Sequence, residues 1–126
     1  MPDYKAPLRD IKFVMNDLLD LPAHYQTLPS KESTTPDMVD AIIQEGAKFC
    51  EQVLAPLNRI GDVDGCKLTD KGVTTPKGFK EAYKQYVEGG WPSMTAPEAV
   101  GGQGLPESLG VVVSEMVGTS NWSWGM

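Results

Sequence analysis

The chain has 126 residues, 40% hydrophobic and 22% charged, a composition typical of one globular domain. Its formal net charge of −6 argues against nucleic acid as a partner, because phosphate binding requires a basic patch. The N-terminus MPDYK has no apolar signal core and the longest apolar run, residues 109–113, is too short to span a membrane, so a cytoplasmic location is expected.

Residues 1–33 are predicted to form an N-terminal extension made of a short helix and a linker. Residues 7–20 place apolar side chains at helical spacing, and Pro22 is expected to end that helix. The linker, residues 21–33, holds two prolines and is expected to lack regular structure. The only histidine, His24, lies in this linker, and we interpret it as a surface loop residue, not a catalytic base.

Three further helices are predicted in the second unit, residues 34–126. Each has a proline suited to a first helical turn: Pro36 for a helix over residues 36–54, Pro76 for a helix reaching about Glu88, and Pro106 for the last. The last helix contains three consecutive valines, which favour a strand on propensity, but its start matches those upstream. The predicted fold class is all-α, a bundle of about four to five helices.

An irregular or hairpin-like excursion is predicted at about residues 59–74. Asp64-Gly65 favours a tight turn there. The run Asp62-Val63-Asp64-Gly65 lacks the remaining ligands of a calcium loop. Cys50 and Cys66, sixteen positions apart, fit neither a paired redox motif nor a zinc site. No metal site is therefore predicted, and both thiols are expected to be reduced and buried.

A glycine-rich loop precedes the last helix, with Gly101, Gly102 and Gly104 around Gln103. It begins like a dinucleotide-binding motif, but Glu107 occupies the third glycine position and prolines replace the expected buried strand. We therefore interpret the loop as a tight backbone corner whose glycines let two elements approach closely.

Short motifs along residues 90–115 carry a family resemblance. They are Gly90-Trp91, Pro97-Glu98, Gly101-Gly102-Gln103-Gly104-Leu105 and Ser114-Glu115. With LAPLN at residues 54–58, they resemble the helical N-terminal domain of the flavin-dependent acyl-CoA dehydrogenases, over about residues 36–126. The leading YKAPLRDI is similar to the N-terminal extension of the larger family members. The resemblance implies a helical domain truncated before the family's middle sheet domain.

The resemblance also implies a reaction: α,β-dehydrogenation of an acyl-CoA thioester, with FAD as hydride acceptor and a separate electron-transfer acceptor reoxidising the flavin. In the family, the catalytic glutamate and most flavin contacts come from the middle and C-terminal domains. Glu98, Glu107 and Glu115 do not match the catalytic position, so no catalytic or cofactor-binding residue is assigned here. The isolated chain is expected to be inactive, to bind FAD weakly at most, and to belong to a homo-oligomeric enzyme.

By chain order, the family's acyl-pocket wall would begin at Trp122, Trp124, Gly125 and Met126. Bulky side chains there would shorten the acyl chain that the pocket admits. An alternative interpretation makes these four residues part of an interdomain core. Two departures from the family pattern, Gln103 between the glycines and Met116 after Glu115, leave the substrate open.

The apolar end at Met126 carries no charged tail and no helix-stop signal, so we expect the sequence to continue into a larger protein. The alternative function is a stand-alone helical interaction module without enzymatic activity. Such a module would bind a partner through the apolar face left open at Met126.

Overall fold

Helices make up most of the computed structural model, which describes residues 3–126. The α-helices are α1 (Leu8–Lys12), α2 (Leu21–Thr27), α3 (Pro36–Phe49), α4 (Ala55–Asp64), α5 (Phe79–Glu88), α6 (Glu107–Ser120) and α7 (Trp122–Gly125). The π-helical turns Phe13–Leu18 and Cys50–Leu54 extend α1 and α3, and 3-10 turns form at Trp91–Ser93 and Glu98–Val100. The strands are β1 (Lys67–Thr69) and β2 (Gly72–Thr74). The predicted all-α class is confirmed.

The core is built around the contact between α3 and α6, and Tyr4, Leu8 and Trp124 pack against it from the two ends of the chain. Its buried apolar residues are Ile11, Met15, Tyr25, Val39, Ile43, Ala47, Cys50, Leu54, Ala82, Met94, Leu109, Val113, Met116 and Val117. Their helical spacing on α3 and α6 is the pattern that predicted both helices. Within residues 3–126, none of the helices combines the length and apolar composition needed to cross a bilayer.

A π-helical turn joins α3 to α4 without a break in the helix. The cause lies at Pro56, which lacks an N–H and whose ring would collide with the carbonyl four residues earlier in a regular α-helix. An extra residue in the turn relieves that collision. Helix therefore continues to Asp64 and ends at Gly65, which has a φ of +60°. The predicted excursion at residues 59–74 is wrong for residues 59–64.

The chain does form a hairpin, but the hairpin begins after the end of α4. β1 and β2 pair antiparallel, with Leu68 opposite Val73, and every strand residue is exposed. The turn is formed by Asp70 and Lys71, not by Asp64-Gly65, which instead terminates α4. The third predicted helix, α5, begins at Phe79 because residues 76–79 form a separate turn, in which the Phe79 N–H donates to the Pro76 carbonyl at 3.2 Å.

The predicted linker contains a helix that the sequence interpretation missed. Pro22 lies in the first turn of α2, so it begins a helix in addition to following one. Asp20 adopts a left-handed backbone and its carboxylate accepts from the Ala23 N–H at 3.4 Å. His24 is exposed as predicted, but it lies on α2 and not in a loop. Tyr25 anchors α2 through a 2.6 Å hydrogen bond between its hydroxyl and that of Ser108.

The segment before α1 is bound to the bundle. The Ala6 N–H donates to the Glu51 carboxylate at 3.0 Å and Lys5 pairs with the same group at 3.1 Å. The Ala6 N–H and the Lys5 ammonium hold the pKa of the Glu51 carboxyl below its ordinary value. At the other end of the segment, the Tyr4 hydroxyl bonds that of Thr119 at 2.9 Å. The first residues described thus tie the π-helical turn after α3 to α6.

The two thiols differ in environment, so the expectation that both are buried is wrong for one of them. Cys50 is buried in the π-helical turn, and burial raises its pKa to about 11. Cys66 is exposed because it immediately precedes the exposed strand β1. Only Cys50 therefore behaves as a core residue.

We expect peptide-resolved iodoacetamide labelling near pH 8 to modify Cys66 and leave Cys50 untouched until the fold is denatured. The reason is that the thiolate reacts, and burial keeps Cys50 both protonated and inaccessible. Cys66→Ser is the control and should abolish labelling of the native chain. Rapid labelling of Cys50 in the folded protein would contradict the assignment.

Candidate functional site

The end of α6 turns sharply into α7 at Asn121. This residue has φ −160° and ψ 85°, so the backbone leaves the helical conformation after Ser120 and returns to it at Trp122. The expectation that nothing terminates the last helix is therefore wrong. Asn121 is a common type of residue for this role, because its short amide can hydrogen-bond the backbone next to it.

The Asn121 side chain is 1% exposed and joins two parts of the fold. Its Nδ2 donates to the Leu54 carbonyl at 3.1 Å, where the π-helical turn meets α4. Its Oδ1 accepts from the Trp124 N–H at 3.1 Å and from the Ser123 hydroxyl at 2.9 Å. The amide is thus satisfied at both ends, and it fixes the first turn of α7 against the α3–α4 rod.

The four residues predicted to wall an acyl pocket lie at this corner but point in different directions. Trp122 is 65% exposed and Met126 is 83% exposed. The Trp122 ring covers Gly118, where an added Cβ would lie 3.0 Å from the ring. Gly125 approaches α6, where an added Cβ would lie 3.0 Å from a Val117 methyl carbon. Two large apolar side chains are therefore presented on the outside of the corner.

Trp124 points inward, into an aromatic cluster at the end of the bundle. Its ring centroid lies 5.4 Å from that of Tyr86, 6.3 Å from that of Phe49 and 6.4 Å from that of Tyr83. The indole N–H donates to the Phe79 carbonyl at 3.1 Å. The edge-to-face arrangements with Tyr86 and Phe49 are the favourable geometry for aromatic pairs. Trp124 thus anchors α7 to α5 and α3.

The glycine-rich loop has no backbone donors to offer a phosphate. The N–H groups of residues 102–105 all donate to carbonyls of residues 93–97, at 2.9–3.0 Å. Gly101 and Gly104 have positive φ, at +84° and +64°. Gly102 has no room for a side chain, since an added Cβ would lie 2.0 Å from the Ala96 carbonyl oxygen. These hydrogen bonds close the loop on itself, so it does not form a pyrophosphate cradle.

A groove of about 270 Å³ separates this loop from α3. It is lined by Ala41, Ile42, Glu45, Gly89, Gly90, Trp91, Met94, Gln103 and Leu105. Two of these lining residues are bonded to each other, because the Gln103 side-chain amide donates to the Gly90 carbonyl at 2.8 Å. None of the four predicted pocket-wall residues lines this groove.

Comparison with known proteins identifies relatives of similar sequence. No family model matches the chain. It is 37% identical, over 98% of its length, to a 3-methylmercaptopropionyl-CoA dehydrogenase of Ruegeria pomeroyi. Two butyryl-CoA dehydrogenases of Syntrophomonas wolfei are 34% and 32% identical over 70% of the chain. The chain belongs to the acyl-CoA dehydrogenase family.

The family predicted from the loop motifs is therefore confirmed. The chain spans 21% of the length of the Ruegeria relative and 15% of the length of the two Syntrophomonas relatives. Glu98, Glu107 and Glu115 are all exposed. Among residues 3–126, no three His, Cys, Asp or Glu side chains are grouped closely enough to hold a metal ion.

Asn121 is the residue at the corner between α6 and α7 that the sequence did not predict. The sequence did contain a signal, because asparagine is a preferred N-cap residue. Such a cap accepts a hydrogen bond from the N–H three residues later, which here belongs to Trp124. Nothing in the sequence indicates that the Leu54 carbonyl is the partner of Asn121, since every residue carries a backbone carbonyl. Its role depends on a contact across 67 residues of sequence.

Two neighbouring glycines separate steric from conformational effects in the loop. We expect Gly102→Ala to lower the free energy of unfolding by about 3 kcal/mol, because its Cβ would overlap the Ala96 carbonyl. Gly101→Ala meets no atom within 4 Å and should cost only about 1 kcal/mol, for its left-handed backbone. Urea unfolding followed by circular dichroism measures both. Equal losses would contradict the close contact at Gly102.

Proposed function

We propose that this chain is the N-terminal part of a flavin-dependent acyl-CoA dehydrogenase that introduces a double bond between the α and β carbons of an acyl-CoA thioester. The observation that carries the proposal is 37% identity, over 98% of the chain, to a relative named as an acyl-CoA dehydrogenase. The shorter matches to two butyryl-CoA dehydrogenases support the same substrate class.

The chemistry requires a base for the α-proton and an acceptor for the β-hydride. FAD accepts the hydride when bound, and a separate electron-transfer acceptor then reoxidises it. This chain does not fit a flavin site at its glycine-rich loop, because the N–H groups of residues 102–105 are all engaged by carbonyls. Glu98, Glu107 and Glu115 are exposed, so we assign the base and the flavin contacts to parts of the enzyme outside this chain.

Within that enzyme, this chain packs on the flavin domain and walls the acyl pocket. The exposed side chains of Trp122 and Met126 support this role, since large apolar groups on one corner are typical of a surface that contacts something else. Trp124 and Gly125 support it indirectly, because they hold α7 against α5 and α6. A homo-oligomeric assembly and a cytoplasmic location belong to the same proposal and follow from the sequence expectations above.

A stand-alone interaction module is the second candidate, and the apolar groove between α3 and the loop is the observation that favours it. The two functions differ in what the intact gene encodes and in whether its product carries a flavin. A binding module would require neither FAD nor acyl-CoA.

The test is to purify the product of the intact gene, reconstitute it with FAD, and follow dye reduction with butyryl-CoA and 3-methylmercaptopropionyl-CoA. We expect flavin absorbance and acyl-CoA-dependent reduction. Residues 1–126 alone, prepared in parallel, should show neither. Failure to bind FAD after reconstitution would refute the dehydrogenase proposal and favour the interaction module. Turnover by the 126-residue chain would refute the assignment of the chemistry to other domains.

A further inference from the structure

We infer that Asn121 is a positioning residue for acyl-chain selection: it fixes the angle at which α7 presents Trp122 and Met126 to the acyl pocket. The inference rests on the pocket-wall role proposed above. It goes beyond that role by naming a buried residue that does not touch the acyl chain.

The first step is that α7 depends on contacts outside itself. The N–H groups in the first turn of a helix have no acceptor within that helix, and α7 begins at Trp122. Its first N–H groups need an external acceptor, and the Asn121 Oδ1 supplies one to Trp124 at 3.1 Å. That acceptor acts beside the Trp124 indole contact in setting the direction of the turn relative to α6.

The second step is that Asn121 connects α7 to a rigid part of the fold. Its Nδ2 donates to the Leu54 carbonyl at 3.1 Å, on the continuous α3–α4 rod. A side chain that both donates and accepts is needed here. Aspartate cannot donate and would leave the buried Leu54 carbonyl without its side-chain partner, and leucine would leave both that carbonyl and the Trp124 N–H without theirs.

The third step connects this geometry to selection. Residues 122 and 124 lie roughly 200° apart around a helical axis, so the inward anchoring of Trp124 forces Trp122 outward. Because the Asn121 Oδ1 also holds the Trp124 N–H, loss of the Asn121 contacts loosens this arrangement and lets the exposed Trp122 ring shift. In an apolar pocket, one methylene more or less in the substrate changes kcat/KM by about tenfold or more. A small displacement of this wall therefore alters which acyl chain fits.

The experiment uses the intact flavoprotein and the ratio of kcat/KM for octanoyl-CoA to that for butyryl-CoA. Asn121→Ala removes both the donor and the acceptor. Asn121→Ser keeps a short N-cap acceptor while losing the reach to Leu54, and it remains informative if the alanine variant does not fold. Val113→Ala is the matched control, because it removes buried atoms of α6 without touching a hydrogen bond of α7.

We expect Asn121→Ala to change the ratio by about tenfold and Asn121→Ser to change it less, in the same direction. Val113→Ala should lower stability and leave the ratio as in the unsubstituted enzyme. An unchanged ratio in both Asn121 variants, or an equal change in Val113→Ala, would overturn the inference. An unsubstituted protein that binds no FAD and oxidises no acyl-CoA would instead refute the proposed function, so the two failures are distinguishable.

Discussion

The junction between α6 and α7 depends on the hydrogen bonds of the buried Asn121 side-chain amide. It lies between the junction of α3 with α4 and the first turn of α7, and it bonds both. A buried amide without partners costs free energy, so the bond to the Leu54 carbonyl favours the position of Asn121 at which α6 ends and α7 begins. A local turn is thereby linked to the longest helical rod of the fold.

Pro56 explains why the rod contains a π-helical turn next to this contact. Its ring excludes a regular α-helical turn, and the π-helical turn Cys50–Leu54 accommodates it. That turn also contains Cys50, which fills the core, and Glu51, whose carboxylate receives the Ala6 N–H. The same few residues therefore bind the start of the chain on one side and Asn121 on the other.

The elements that could be predicted from the sequence are those with local signals. Pro36 begins α3 and Pro106 directly precedes α6, and the apolar faces of both helices have the expected period, so both helices start as predicted. The errors came where one signal had two meanings. Pro22 was interpreted as a helix end but lies in the first turn of α2, and Asp64-Gly65 was interpreted as a hairpin turn but ends α4.

The candidate site was less predictable, because it depends on contacts between distant residues. Chain order predicts an acyl-pocket wall at Trp122, Trp124, Gly125 and Met126. The sequence does not show that Trp124 points inward and Trp122 outward. Their opposite orientations follow from hydrogen bonds to the carbonyls of Leu54 and Phe79, which sequence patterns do not reveal.

Amide hydrogen exchange at Trp124, compared between the unsubstituted protein and Asn121→Ala, tests the hydrogen bond from the Trp124 N–H to Asn121. We expect exchange at Trp124 to be roughly fivefold faster or more in the variant, with the middle of α6 unchanged, whereas equal protection at Trp124 would contradict the role of the Asn121 acceptor.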